Sequence, residues 1–285
     1  MNFYAKVGNL ELRSPLLLAS GTWGLGDREI PGLEYVSAVI TKGISKEPMA
    51  GNPPPRLAET PCGLINSIGL ENPGIEIFLA EYLPRIKKLC PQVIVNLHGE
   101  SMEDFCFLAE RLEDVDISGI ELNISCPNVK KGGIHFSDSA KDVFELVSQV
   151  RKRFSKLLMV KLSPMSSILD VALACQDAGA TAITVANTYP ALAVVSLKPF
   201  KVLLGGLSGP AIKPLTLRLV YELSNKVSIP IIASGGVMTG KDVLEYLACG
   251  AIAVQIGTSL LIDPFSIEKI YREFERLSKE LKWAS

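Results

Sequence analysis

The sequence predicts an α/β chain closing as a (β/α)8 barrel, the TIM-barrel architecture, with an N-terminal hairpin and long lid-like loops at the C-terminal face. Three observations carry this. Eight short β-branched or apolar runs recur along 285 residues. Amphipathic segments of helical length separate most of them. Polar residues and glycines collect just past the end of each run.

The runs are Pro15–Ser20, Val36–Lys42, Val93–His98, Gly119–Ile124, Leu158–Leu162, Thr181–Asn187, Pro230–Ser234 and Ala251–Gly257. Several are nearly continuous apolar stretches, as parallel strands buried on both faces require. The intervening helices are expected at Ile75–Leu89, Met102–Leu112, Ala140–Phe154, Ser167–Ala178, Pro210–Lys226, Gly240–Ala248 and Pro264–Lys282. Ser101 precedes the second of these, with Glu103 and Asp104 in its first turn, a common helix start. Phe3 to Leu12 reads as a hairpin turning at Gly8 and able to plug the barrel's bottom. The Pro- and Gly-rich stretch Gly43–Pro73 reads as one long irregular loop, and loops of that length in compact domains are usually functional. No linker or low-complexity segment divides the chain, so a single domain over 1–285 is expected.

Composition narrows the function. The chain is 48% hydrophobic and 21% charged, with 29 Lys and Arg against 30 Asp and Glu, for a net charge of −1. That supplies a large core and no global basic field for nucleic acid or an anionic membrane. No apolar run has the roughly 18 residues a membrane-spanning helix needs, and Met1–Lys6 leads into polar residues, so a cytoplasmic protein is expected. The six cysteines show no Cys-x-x-Cys spacing and the two histidines no His-x-x-x-His spacing, so no metal site is expected on this chain. Cys106, Cys175 and Cys249 fall within helical patterns and read as core filler.

The strand ends supply the chemistry. Ser20, Lys42, Gly43, Asn96, Asn123, Lys161, Asn187 and Thr188 all stand at the C-terminal ends of runs, where barrel active sites form. Together they predict a mouth rich in amides and fixed positive charge, suited to a flat, polar, anionic ligand. Gly235-Gly236 and Gly257-Thr258 follow the last two runs, and Gly209 sits in a third glycine-rich turn; glycines let backbone N–H groups approach a phosphate closely. The strand Gly119–Ile124 runs into Ser125-Cys126-Pro127-Asn128, and proline ends a ladder, which holds the Cys126 thiol on a stiff turn. A lone cysteine is more often a buried hydrophobe; Asn123 and Asn128 beside this one favour a chemical role.

These motifs give the chain a resemblance to the class 1 dihydroorotate dehydrogenases. The resemblance runs over nearly the whole chain. It rests on Ala19-Ser20-Gly21-Thr22, Gly51-Asn52-Pro53-Pro54-Pro55-Arg56, Asn66-Ser67-Ile68-Gly69-Leu70 with Asn72-Pro73-Gly74, the Cys126 motif, Val160-Lys161-Leu162-Ser163-Pro164, and Gly205 to Pro214. Asn128-Val129-Lys130 followed by Gly132-Gly133 resembles subgroup B, whose catalytic subunit passes electrons to NAD through a partner bearing FAD and an iron–sulfur cluster. The resemblance implies one FMN per chain, bound by Ser20, Lys42, Gly43, Asn96, Asn123, Lys161, Gly209, Gly235, Gly236, Gly257 and Thr258. It implies that dihydroorotate or orotate is held by Lys42, Asn66, Ser67, Ile68, Gly69, Leu70, Asn123, Asn128, Asn187 and Thr188. Cys126 would act as general base at C5 while hydride leaves C6 for the flavin, in pyrimidine biosynthesis. A homodimer of this chain, joined by two partner subunits in a heterotetramer, is implied as well. Gly43 departs from the Ser or Ala of many relatives, and Tyr189–Leu204 matches the family least. Other readings of the same residues are a fumarate-using subgroup A enzyme, another FMN-dependent pyrimidine reductase, and a non-redox phosphate-binding aldolase or isomerase with Lys161 as a Schiff-base lysine.

Overall fold

A computed structural model of the chain describes residues 3–26, 28–90, 92–124, 139–164 and 167–283. In chain order the strands are β1 (Ala5–Val7), β2 (Leu10–Leu12), β3 (Leu16–Leu18), β4 (Ala38–Ile40), β5 (Leu57–Thr60), β6 (Gly63–Asn66) and β7 (Val93–Leu97). There follow β8 (Gly119–Asn123), β9 (Leu157–Lys161), β10 (Ala182–Val185), β11 (Tyr189–Leu197), β12 (Phe200–Ser208), β13 (Ile231–Ser234) and β14 (Ala253–Ile256). Eight of them close a parallel barrel in the order β3-β4-β7-β8-β9-β10-β13-β14. They are the eight runs seen in the sequence, seven of them trimmed at one or both ends and β9 shifted one residue toward the N-terminus, starting at Leu157. The expected barrel is therefore the fold.

Side chains alternate across each barrel strand, so every second residue points inward. Leu17, Ala38, Ile40, Ile94, Leu157, Met159, Ala182, Ile232 and Ala253 fill the lower interior. Val7, Leu10 and Leu12 of the antiparallel pair β1–β2 are buried in the same cluster and plug that end, as expected. The outward faces, with Val95, Leu122, Val160, Ile183 and Val254, form the larger core against the helices. Capping fixes where some of those helices begin. Ser101 and Thr239 each accept from the backbone three residues on, and Asp104 and Asp242 bond back in reciprocal capping boxes.

Three expectations need correction: those for Gly43–Pro73, for the helix at Ile75–Leu89, and for Cys106 and Cys249 as core. The segment Gly43–Pro73 is not one irregular loop, because Leu57–Thr60 and Gly63–Asn66 pair as β5 and β6. The unfamiliar stretch after Thr188 is a long hairpin, β11 with β12, and β12 pairs with β6 to give a four-stranded antiparallel sheet. The helix expected at Ile75–Leu89 opens into a π-helical turn over Phe78–Tyr82 before closing again at Leu83. Pro84 explains the widening: it donates no hydrogen bond, and its ring crowds the carbonyl four residues back. Among the cysteines, Cys175 is core and burial pushes its thiol up to about 12, but Cys106 and Cys249 are only half-buried. No helix among the described residues is long and apolar enough to cross a membrane.

Candidate active site

Beneath the barrel mouth lies a polar layer. Register places Asn96 beside Glu121 on β7 and β8, and Lys161 beside both Asn123 and Thr184 on the neighbouring strands. Glu121 is 0% exposed. One of its oxygens accepts from Asn96 Nδ2 at 2.8 Å; the other accepts from Thr184 Oγ1 at 2.6 Å and Gln255 Nε2 at 2.8 Å. Three donors compensate a carboxylate that has left water entirely. Asn96 Oδ1 and Gln255 Oε1 are buried with no partner. A Cβ on Gly43 would lie 3.0 Å from that Asn96 oxygen and 3.9 Å from Leu70 Cδ2, which brings Gly43, Leu70 and Asn96 to one place.

The antiparallel sheet contributes a second group of residues. Asn66 donates through Nδ2 to the carbonyl of Gly206 at 3.2 Å, and a Cβ on Gly206 would run into Thr188 Oγ1. Thr188 N–H donates to Asn187 Oδ1 at 2.8 Å, and Asn187 Nδ2 donates to Asn123 Oδ1 at 3.3 Å. The sheet's Asn66 and Thr188 thus meet the barrel's Asn123 through Asn187. Ser67 and Ile68 are tied to Asn52, which bonds Ser67 through its side chain and Ile68 through its backbone. Asn72 Nδ2 holds the carbonyl of Leu70, whose φ of 58° is left-handed and strained for a leucine. The turn Ser67–Leu70 is therefore built rather than loose. Lys42 lies at the end of β4, half-buried; burial pulls its ammonium below the usual range, and Glu71 pushes it back up.

A glycine cradle forms the third group. A Cβ on Gly236 would lie 2.8 Å from the Gly209 carbonyl, and one on Gly209 would lie 3.3 Å from Thr258 Cγ2, so these three turns converge. Gly209 and Gly236 have φ of 96° and 68°, the left-handed region that favours glycine. Gly257 packs on Ala19 and Thr22, and Ala19 N–H bonds the Ile256 carbonyl, which carries Ser20 to the same rim. Tyr246, fully buried, donates to the Gly235 carbonyl at 2.6 Å; burial holds its phenol above the usual range. Lys213 pairs with Asp242 and Glu245 behind the cradle. Cys126 and Asn128, the expected base and one expected substrate ligand, lie outside the described residues.

The comparisons with known proteins agree with one another. A family model described as dihydroorotate dehydrogenase matches residues 3–277. The chain belongs to the dihydroorotate dehydrogenase family. A relative from Geotalea uraniireducens, named dihydroorotate dehydrogenase B (NAD(+)), catalytic subunit, is 44% identical over 96% of this chain and 92% of its own length. Relatives of the same name from Thermoanaerobacter pseudethanolicus and Geobacter sulfurreducens are 44% identical over 93% and 95% of this chain, and over 89% and 91% of their own.

Within this dihydroorotate dehydrogenase fold, several residues behind the site escaped the sequence reading. Glu121, Thr184 and Gln255 sit among apolar strand neighbours. The signal for Glu121 was its place two residues before Asn123, which gives it the same inward face. Thr41 escaped as well; its hydroxyl accepts from Asn96 N–H at 3.1 Å. Asn72 was visible as part of a family motif without a role of its own, yet its amide braces the Ser45 hydroxyl, the Gly74 N–H and the Leu70 carbonyl.

Proposed function

We propose that this chain is the catalytic subunit of an NAD-linked dihydroorotate dehydrogenase, oxidising dihydroorotate to orotate for pyrimidine synthesis with one FMN in the barrel mouth. The observation that carries this is the pairing of two features across one mouth. On one side a buried amide oxygen, Asn96 Oδ1, stands without a partner opposite Gly43; on the other stands a cradle of converging glycine turns. These residues fit FMN, which has a flat ring edged with donors and acceptors at one end and a phosphate at the other. The phosphate would rest on the backbone of Gly209, Gly235, Gly236 and Gly257 with Thr258, and Ser20 would line the same rim. Asn96, Asn123, Lys42, Gly43 and Lys161 would hold the ring system.

Bound FMN supplies a hydride acceptor and a route for electrons onward. The chain's own residues do the rest. Lys42 and Lys161 supply fixed positive charge for a carboxylate substrate and for a ring that gains electrons. Asn66, Asn128, Asn187 and Thr188, with the braced turn Ser67–Leu70, orient the substrate's amide edge. Cys126 takes the proton from C5. A partner subunit bearing FAD and an iron–sulfur cluster would carry the electrons on to NAD. The outward residues of the hairpin, Leu192, Val194, Leu197, Phe200, Val202 and Leu204, are exposed and apolar, which supports a subunit contact there, in a homodimer that partner subunits extend to a heterotetramer.

The test is anaerobic mixing of the purified chain with dihydroorotate while the visible flavin band is followed. Wild type is expected to bleach, and Cys126→Ala to bleach roughly 100- to 10,000-fold more slowly at neutral pH, the usual worth of a positioned base. A chain that cannot take up FMN, or a yellow chain that dihydroorotate leaves oxidised, would overturn the reading.

A further inference from the structure

Nothing in the roles above uses Glu121, yet the polar layer is arranged around it. A carboxylate only accepts hydrogen bonds, so a side-chain amide facing it must present its NH2 group. Asn96 does so, at 2.8 Å, and its oxygen is thereby turned away, toward the space that Gly43 leaves empty. That oxygen is buried and without a partner, which inside a protein is costly unless a ligand completes it. Gln255 repeats the pattern. Its NH2 group reaches both Glu121 and Thr184 Oγ1, and its own oxygen is left over. One inward carboxylate thus sets the direction of two amides, and that of Asn96 turns its oxygen toward Gly43 at the end of β4.

We propose that Glu121 is a positioning residue: it locks the Asn96 amide with its oxygen outward, so that the mouth offers an acceptor to a ring N–H of the flavin. The inference rests on the FMN reading above. An oxidised isoalloxazine carries a single ring N–H, on its pyrimidine edge between two carbonyls. An acceptor there completes a hydrogen bond, whereas an amide NH2 in its place would set donor against donor. Glu121 touches no ligand itself; it acts through Asn96.

Exchanging the carboxylate and the amide tests this. Glu121→Gln keeps the shape, and its oxygen can still accept from Thr184 and Gln255. Its new NH2 group then faces Asn96, which must turn over and offer NH2 to the mouth. The double variant Glu121→Gln with Asn96→Asp conserves total charge and restores an acceptor at both ends of residue 96. FMN binding to the apoprotein is measured by titration for wild type and both variants, together with the visible spectrum of bound flavin and the thermal unfolding of the apoproteins. Glu121→Gln is expected to weaken FMN by about tenfold to a hundredfold and to shift the spectrum, the cost of one lost bond and one unpaired donor. The double variant is expected to recover most of the affinity and the wild-type spectrum.

A Glu121→Gln protein that binds FMN with wild-type affinity and spectrum would overturn the inference. So would a folded double variant that binds no better than the single one, since a purely structural role predicts no rescue. If Glu121→Gln does not fold, the double variant decides alone: near-wild-type binding supports the proposal and weak binding overturns it. Wild type that takes up no FMN would sink the reading of the site, and this inference with it.

Discussion

Asn96, Asn123 and Lys161 stand on barrel strands whose inward faces are fixed by the two-residue alternation of parallel, doubly buried β-structure, whereas Asn66 and Thr188 are set by an antiparallel sheet with an apolar outer surface. In the barrel, a one-residue slip would turn Glu121 out of its three hydrogen bonds and into the helix layer, so register and chemistry are enforced together. In the sheet, Leu197 is 79% and Phe200 69% exposed, so no core among the described residues pins the hairpin's tip. What pins its base is close backbone approach. A Cβ on Gly205 would lie 2.1 Å from the Asn66 carbonyl, and one on Gly63 would lie 2.0 Å from the Ser208 carbonyl. The barrel holds its inward groups on fixed ground, and the sheet brings Asn66 and Thr188 to them by an arrangement a single side chain can disturb.

The largest expected effect lies in the barrel. Glu121→Leu takes the shared acceptor from three buried donors, leaving Gln255 only its longer bond to Thr184 Oγ1, and should cost about 3 kcal/mol or more of folding stability, read by urea unfolding of the apoprotein. A loss under about 1 kcal/mol would mean the layer does not hold the barrel together as described. Next comes Gly205→Ala in the sheet. Its methyl meets backbone, which cannot swing aside, so β12 and β6 must part locally at a cost of about 1–3 kcal/mol. Because that pairing carries Asn66, KM for dihydroorotate should rise more than the rate constant for flavin reduction falls. Equal changes in both would erase the distinction between the two regions.

A smaller effect concerns pH. His98, at the end of β7, is buried with Nδ1 unpartnered, and burial holds its imidazole below the ordinary value of 6.5, opposed by Glu100 and Asp104. The unfolded chain therefore binds this proton more readily than the folded one. Stability from this group is present above pH 6.5 and is lost as pH falls from there toward the lowered folded value. Unfolding free energies measured across that window should slope less in His98→Gln than in wild type; parallel slopes would remove His98 from the account. Smallest of all is Leu197→Lys at the hairpin tip. Folding stability should move by no more than about 0.5 kcal/mol, as for exposed positions generally. Light scattering is expected to show wild type self-associating and this variant doing so more weakly; an equally associated variant would place the contact elsewhere.

The sequence made the barrel readable because its strands are continuous apolar runs that end abruptly in polar residues, as Gly119–Ile124 does. Those ends also exposed most of the candidate site, from Lys42 and Asn96 round to Gly257 and Thr258. The four-stranded sheet stayed hidden for a physical reason. Tyr189–Leu197 interleaves alanine, valine and leucine with no polar face, so it carries no two-residue alternation against solvent. Leu57–Thr60 and Gly63–Asn66 are too short, and too close to the prolines before them, to stand out. Glu121 was hidden by its surroundings, since one carboxylate inside an apolar strand gains meaning only when β7, β10 and β14 bring Asn96, Thr184 and Gln255 to it.

Oxidation of dihydroorotate by this barrel is open to a single-turnover product assay. FMN-loaded chain is mixed anaerobically with excess dihydroorotate and no electron acceptor, quenched, and assayed for orotate. One orotate is expected for each flavin reduced, with the yield abolished in Cys126→Ala on the same time scale. Dihydroorotate recovered unchanged beside a flavin that other reductants can reduce would contradict it.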